Sequence, residues 1–310
     1  MKRPLVVALN PSIDAEWRVA AVRWEEKNDV QSERRWAGGK GVNVARWLTF
    51  HGCGPQLLLP LGGATGDELA TLLSREGIDT RIFELGRNQS TRVNVIVTTD
   101  AQGQMRFNPS GPKFNPSQWR AFKSYIVKAL PGTDFLVLSG SLPRGLAHGA
   151  YVELIRLARR QGVSVLLDCD GPALAAALSA KPFLVKPNEH ELLAWFQASD
   201  VSKVLKCPTL KGVPRKVVRA AAAMSSRSGG WVCVSRGAKQ ALLVNVAAEQ
   251  FMTALPPKTR VRNTVGAGDA MLAGMLKEVR RDAAPLQWLK TGLRMGSTGT
   301  RLAAGQLPSK

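Results

Sequence analysis

The sequence predicts an α/β protein, a doubly wound three-layer α/β/α sandwich with a small β-sheet lid. Three observations carry that expectation. Short, continuous apolar runs recur along the chain, as parallel strands covered on both faces require. Helical patterns separate them, in the order strand then helix. Two further segments, 14–36 and 91–108, alternate at period 2 between polar turns and fall outside that rhythm.

PLVVAL (4–9) reads as the first buried strand, and LLLPLG (57–62), DFLVLSG (134–140), VSVLLD (163–168), PFLVKP (182–187) and GWVCVS (230–235) read as others. The helical patterns are 42–52, 67–77, 149–162 and 189–197. TTDAQGQ reads as a hairpin loop inside the second period-2 segment. The two segments together predict a small antiparallel sheet standing over a site as a lid. Residues 198–216 carry five basic residues in an irregular pattern and read as a basic loop. The whole chain, 1–310, reads as one domain.

Composition removes several function classes. A chain of 310 residues with 45% hydrophobic content buries a core without metal or disulfide support. Cys53, Cys169, Cys207 and Cys233 form no C-x-x-C pair, so they read as reduced thiols. The N-terminal apolar stretch is too short for a signal peptide, and no window is long enough for a membrane helix. A cytoplasmic protein is expected. Lys plus Arg number 43 against 23 Asp plus Glu, a net charge of +20. Residues from 201 onward hold 19 basic and 4 acidic residues. Such a surface attracts polyanions, yet the basic residues are dispersed, without interleaved aromatics or a recognition-helix signature, and nucleic acid is not the expected partner.

Three motifs carry chemistry. In NTVGAGDAMLAGMLKEV (263–279), Gly266, Ala267 and Gly268 precede an apolar-faced helix, where backbone N–H groups and the helix dipole make an anion site. Asp269 in its first turn could take the proton from an attacking hydroxyl, or could simply stabilise its own helix end. In AGGKGVNVAR (37–46), Gly38, Gly39 and Gly41 allow a ligand to approach the backbone beside Lys40 and Asn43; turn formation is the plain alternative. Neither cluster is a P-loop. In KPNEHEL (186–192), Asn188 and Glu191 share a face and suit a hydrated Mg²⁺, or they form a helix capping box.

NPSID (10–14), GGKGVNVAR, LSGSLPRG, LVKPNEHEL and NTVGAGDAMLAG occur in this order. Together they resemble the PfkB (ribokinase-like) carbohydrate kinase family, specifically its 1-phosphofructokinase and tagatose-6-phosphate kinase branch, across residues 4–305. The resemblance implies a ribokinase-like sandwich, ATP as co-substrate, Mg²⁺, and a phosphorylated ketohexose as acceptor. It implies that Asp269 is the catalytic base and that Gly266, Ala267 and Gly268 form the anion hole. Asp14 would bind sugar hydroxyls; Gly38, Gly39, Lys40, Asn43 and Arg92 would hold the sugar phosphate. Asn188 and Glu191 would organise Mg²⁺ through water, and Ser235 and Gly237 would border the nucleotide. Lid pairing would make a homodimer.

Two segments depart from the branch. RFNPSGP (106–112) stands where an acidic residue and Asn-Glu-Pro-Gly-Pro are usual, so Arg106 and Ser110 alter one edge of the sugar site. SRGAKQ (235–240) stands where S-L-G-x-x-G is usual, so Gln240 would crowd or reshape the nucleotide-side turn beside Arg236. Fructose 1-phosphate is the expected acceptor, with tagatose 6-phosphate and fructose 6-phosphate as alternatives. A catalytically weak sugar-phosphate or nucleotide-binding protein is the reading from a different class.

Overall fold

Leu5 and Val7 point to one side of the first strand and Val6 and Ala8 to the other, and all four are buried. A strand with two apolar sides must be covered twice, and a computed structural model covering residues 2–101, 103–199 and 207–309 shows how. The chain begins β1 (Arg3–Val7), β2 (Ser12–Val19), β3 (Ser32–Gly38), α1 (Lys40–Phe50), β4 (Gln56–Leu61), α2 (Gly63–Arg75) and β5 (Asp79–Glu84). It continues β6 (Arg92–Thr99), β7 (Gln104–Phe107), α3 (Pro116–Ala129), β8 (Thr133–Ser139), α4 (Ala150–Arg160), β9 (Ser164–Asp168) and α5 (Gly171–Ala177). Then follow β10 (Leu184–Val185), α6 (Glu189–Ala198), α7 (Arg215–Ser228), β11 (Trp231–Val234), β12 (Ala241–Asn245), β13 (Gln250–Ala254), α8 (Ala267–Val279) and α9 (Pro285–Arg301).

Nine strands form the large sheet in the order β13-β12-β11-β10-β9-β8-β1-β4-β5. Its two faces bury separate apolar clusters. Leu5, Val7, Leu138, Leu167 and Val234 pack with residues of α3 to α7, while Val6, Leu57, Val137, Leu166 and Cys233 pack with α1, α2, α8 and α9. This is the expected three-layer sandwich. One end differs from the all-parallel expectation, because β12 and β13 return as an antiparallel hairpin on β11. Asn245 and the short turn to Gln250 let the chain double back without a crossover helix, which a parallel pairing needs.

The lid is a separate four-stranded sheet, β3-β2-β6-β7, with β2 antiparallel to β3 and parallel to β6, so the expected antiparallel sheet is in fact mixed where its two segments meet. Strand alternation sets Ser12, Asp14, Glu16 and Arg18 on one face and Ile13, Ala15, Trp17 and Val19 on the other. The hairpin expected at TTDAQGQ joins β6 to β7; Gln102 lies outside the described residues. Within the basic loop expected at 198–216, residues 200–206 also lie outside them, and its C-terminal end is the start of α7. Among the described residues, all four cysteines are free and no helix is long and apolar enough to cross a membrane.

The winding of the large sheet reverses between β1 and β8: the chain runs outward through β4 and β5 on one side, and through β9, β10 and β11 on the other. Crevices at the carboxyl ends of strands form at such a reversal.

Candidate active site

The segments that leave those carboxyl ends converge there. Ala8 to Pro11 follow β1, Ser139 to Ser141 close β8, Asp168 and Asp170 close β9, Lys186 and Asn188 follow β10, and Ser235 follows β11. Residues from all five line one cavity of about 660 Å³. The N-termini of α1 and α8 enter the same cavity, with Gly39, Lys40 and Asn43 from one and Gly266, Gly268 and Asp269 from the other. Asp14, Arg92, Asn94, Arg106 and Asn108 reach it from the lid.

Asp269 is buried in the first turn of α8. Burial and the nearby Asp168 carboxylate push its pKa up to about 6, while the Asn43 hydrogen bond and the Lys186 and Lys40 charges pull it down. Asn43 Nδ2 donates to Asp269 Oδ2 at 2.8 Å, and Asn43 Oδ1 accepts from Arg46 Nη1 at 2.6 Å. Arg46 is itself buried, with Nη2 at 2.9 Å from Glu76 Oε1. A four-residue relay, Glu76–Arg46–Asn43–Asp269, therefore fixes the amide orientation and aims a donor at the carboxylate.

A buried cluster of charge lies alongside. Asp168 is bound by Lys186 at 2.9 Å and Lys40 at 3.3 Å. Burial pushes the Asp168 carboxyl up, yet the two ammonium groups hold it below the usual carboxylate range. Asp168 raises the pKa of Lys40 in turn, and outweighs the burial of Lys186 to raise it as well. With Glu191 Oε1 at 3.9 Å from Lys40, two cations remain charged at the mouth of the α8 N-terminus.

The glycines have distinct duties. Gly266 has φ +78°, a left-handed conformation that lets the loop turn into α8. First-turn N–H groups have no intrahelical acceptor; that of Ala267 is turned onto the Thr264 carbonyl at 3.4 Å, and Ala267 does not line the cavity. Gly38 does not line it either. A Cβ at that position would fall within the Asp14 carboxyl group, so Gly38 makes room for the carboxylate. Asp14 accepts hydrogen bonds from Ser12 Oγ and Asn94 Nδ2, both at 2.8 Å. Arg92 donates to the Asn10 and Pro109 carbonyls at 2.9 and 3.2 Å, which ties the lid strand to the body beside the cavity.

Asn188 and Glu191 form the capping box: the Asn188 side chain accepts from the Glu191 N–H at 2.8 Å, and Glu191 accepts from the Asn188 N–H at 2.9 Å. Both still line the cavity, so the cap and a role toward solvent-bridged cations are compatible. Ser235 bridges to Asn188 through paired backbone contacts. Gly237, with φ +59°, lies in the following turn away from the cavity lining.

The unusual pair Arg236 and Gln240 does not enter the cavity. Arg236 is buried, pairs with Glu189 at 3.2 Å and donates to the carbonyls of Gly212 and Gln240, both at 3.0 Å. Gln240 donates to Thr253 Oγ1 at 2.7 Å. The crowding expected of Gln240 is taken up on the far side of the turn, against Gly212. Arg106 and Asn108 of RFNPSGP, in contrast, do line the cavity, so that departure touches the site.

Sequence reading missed Asp168, Lys186, Asn94 and Ser139. Asp168 and Ser139 end β9 and β8, and that position at the carboxyl edge of a parallel sheet was the available signal. Buried polar atoms of Asn10, Arg92, Asn94 and Ser139 have no hydrogen-bond partner among the described residues, and all four residues line the cavity. Buried polar atoms are rarely left unpaired. This mixture of unpaired donors and acceptors beside one cavity suits a ligand rich in hydroxyl and phosphoryl oxygens.

Known proteins resemble this chain along nearly its whole length. Residues 8–301 match the family described as pfkB family carbohydrate kinase. The chain is 37% identical to 1-phosphofructokinase of Rhodobacter capsulatus, over 96% of this chain and 90% of that protein. It is 32% identical to ATP-dependent 6-phosphofructokinase isozyme 2 of Escherichia coli, over 97% and 93%. The crystal structure of Escherichia coli phosphofructokinase-2 in complex with fructose-6-phosphate superposes with a TM-score of 0.84 at 30% identity, covering 97% of this chain and 94% of that one.

Proposed function

Since the chain belongs to the pfkB family of carbohydrate kinases, we propose that it transfers the γ-phosphoryl group of ATP to a hydroxyl of fructose 1-phosphate, giving fructose 1,6-bisphosphate and ADP. The observation that carries the reading is Asp269, a buried carboxylate with its pKa pushed up to about 6 at the N-terminus of α8, inside a cavity that also holds Asp14 and two lysines.

In this reading Asp14, held by Ser12 and Asn94, orients the sugar hydroxyls, the unpaired Asn10 Oδ1 accepts from another sugar hydroxyl, and the unpaired Arg92 Nε–H and Ser139 hydroxyl donate to the sugar phosphate. Asp269 accepts the proton of the acceptor hydroxyl as its oxygen bonds to the γ-phosphorus and the bond to the β-phosphate oxygen breaks. Phosphoryl transfer asks mainly for positioning and charge neutralisation. Lys40, Lys186 and the N-terminus of α8 at Gly266 and Gly268 supply the positive field; Ala267, whose N–H is turned onto Thr264, is left out of the expected anion hole. Ser235 borders the nucleotide, and Gly237, outside the cavity lining, shapes the turn that follows it. Asn188 and Glu191, already engaged in a cap, suit water-bridged contact with Mg²⁺, which would neutralise the ATP phosphates when bound. The outer lid face exposes Phe107 and Trp17, a surface suited to pairing two lids in a homodimer.

Fructose 6-phosphate is a second acceptor, favoured by the similarity to a 6-phosphofructokinase. The test is ADP release from Mg-ATP with fructose 1-phosphate, fructose 6-phosphate, tagatose 6-phosphate and free hexoses, with Asp269→Asn in parallel. Turnover on fructose 1-phosphate above the other acceptors, lost in the variant, establishes the reading; turnover on another phosphorylated ketose instead keeps the kinase and replaces its acceptor. Nucleotide binding with no turnover on any acceptor overturns it in favour of a sugar-phosphate-binding protein.

A further inference from the structure

Beside the catalytic cavity lies another, of about 1050 Å³, and Arg106 and Thr264 line both. One wall is the inner lid face, which contributes Arg18, Arg34 and Arg106. The other is the segment before GAGD together with the end of α9, which contributes Arg260, Arg262 and Arg301. The same strand alternation that aims Asp14 into the catalytic cavity aims Glu16 and Arg18 here.

Glu16 is the one acidic residue in this lining, and it pairs with Arg34 at 3.0 Å. Arg18 lies 3.6 Å from Asp100. Among the described residues, no carboxylate comes within 4.0 Å of Arg106, Arg260, Arg262 or Arg301. The Arg34 guanidinium is further fixed over the Trp36 ring at 4.7 Å from its centroid. Facing guanidinium groups repel across a solvent-filled gap, and a ligand that carries negative charge to both walls removes that repulsion. Arginine forks match phosphoryl oxygens in pairs. Among the described residues no aromatic ring lines the groove, so none of them offers a stacking surface to a nucleobase there.

We propose that this groove is a second anion site, which takes a compact ligand with two phosphoryl groups, one against the lid wall and one against the body wall. Inorganic pyrophosphate and a sugar bisphosphate share that chemistry. A ligand so placed bridges the lid and the body next to the catalytic centre, so its occupancy is coupled to lid position.

The test is calorimetric titration of the whole protein with inorganic pyrophosphate, fructose 1,6-bisphosphate and orthophosphate, without nucleotide or Mg²⁺. Arg262→Gln/Arg301→Gln and Arg34→Gln are run beside the wild type. Each charge-assisted contact contributes about a tenfold factor, so pyrophosphate should bind at least about tenfold more tightly than orthophosphate. The double variant and the lid variant should each weaken it by about tenfold or more. Loss of fructose 1,6-bisphosphate binding in the same variants supports the site with a sugar ligand. Its retention, with pyrophosphate lost, supports the site with an inorganic ligand. No pyrophosphate binding below millimolar concentration, or unchanged affinity in the variants, overturns the proposal. An equal rise in the KM for the sugar phosphate also overturns it, by making the groove part of the substrate site. The KM comparison rests on the kinase reading; the titrations involve no turnover and stand without it.

Discussion

Asn43 Nδ2 donates a 2.8 Å hydrogen bond to Asp269 Oδ2, joining the first turns of α1 and α8 across the catalytic cavity. This bond stabilises the ionised carboxylate, against burial and Asp168, which favour the protonated form. The base form is needed for proton abstraction, so kcat/KM should rise with pH through about 6 and level off above it. Arg46→Gln removes the donor that orients the Asn43 amide. With the donor to Asp269 weakened, the lower limb of the profile should move up by on the order of one pH unit. Arg46→Lys, which keeps a cation near Glu76, should restore part of it. A profile unmoved in Arg46→Gln, after correction for the folded fraction, would show that the relay does not set the base.

Asp269 also bears on stability. Its folded pKa of about 6 lies above its ordinary value of 3.8, so the ionised form is disfavoured by folding. The sign is that of a group favouring the folded state at low pH, an effect lost as pH rises through about 6. Asp269→Asn keeps the shape and can still accept from Asn43. It should lower kcat by about 10²-fold or more, the scale of a general base. At pH 8 it should be more stable than the wild type in urea, with the advantage shrinking below pH 6. A variant that is both inactive and destabilised at pH 8 would assign Asp269 a structural role instead.

Gly38→Ala places a methyl group where the Asp14 carboxyl sits. The side chain of Asp14 must move, and with it the bonds to Ser12 and Asn94. Misplacement of a positioning group by about 1 Å costs on the order of 10²-fold, so kcat/KM for the sugar should fall on that scale. The KM for ATP should stay within about twofold, because Asp14 acts on the sugar side. Initial-rate kinetics with each substrate varied in turn separates the two. Equal losses toward both substrates would place Asp14 in the nucleotide site.

Lys186 and Asp168 have side chains only 5% and 2% exposed, at 2.9 Å from each other. Breaking a buried pair on one side leaves an uncompensated charge, at a cost of about 3–5 kcal/mol. Lys186→Met should therefore lose much of its stability in urea, moderated by Lys40 at 3.3 Å from the same carboxylate. Adding Asp168→Asn should recover part of the loss. A double variant less stable than Lys186→Met would mean that Asp168 is held by something other than its two lysines.

How far the sequence reveals the molecule depends on whether a feature is local. The parallel strands were legible because burial on two faces leaves a continuous apolar run, as in LVV of β1 and LLL of β4. β5 was not, since DTRIFE is an edge strand with a polar mix and no such run. α3 and α7 have apolar faces, but charged and small residues dilute them, so their period stands out less than the strand runs beside them. The GAGD turn and the capping box at Asn188 were readable because both are made within four residues. Asp168 and Lys186 were not singled out, because their partnership spans two strands and needs the register of β9 against β10. The opposed arginines of the lid and the GAGD approach are the same case: each wall looks like ordinary surface charge until the lid is folded over.

The position of Asp269 finally depends on a seam of glycines behind it. Helix α8 packs its rear face on α9, and a Cβ at Gly274 would come within 3.0 Å of both the Gly292 Cα and the Thr291 carbonyl oxygen. Both are backbone, so the helices must separate, and overpacking of this kind costs about 1–3 kcal/mol. Gly299 lies on the same seam, but a Cβ there meets its neighbours at 3.5 Å or more, which is ordinary contact. An alanine in mid-helix is favoured over glycine by about 0.5–1 kcal/mol, and by less at Gly299, which stands in the last turn of α9. Gly299→Ala should therefore stabilise the protein by a few tenths of a kcal/mol or more, about the propensity gain, with activity retained. Gly274→Ala should destabilise it and lower kcat more than either KM, because α8 carries the catalytic carboxylate one and a half turns upstream. Urea unfolding and steady-state kinetics on the two variants decide the matter. Equal tolerance of both substitutions would show that the helices have slack, and that the site is held by its hydrogen bonds and not by the closeness of the backbone behind it.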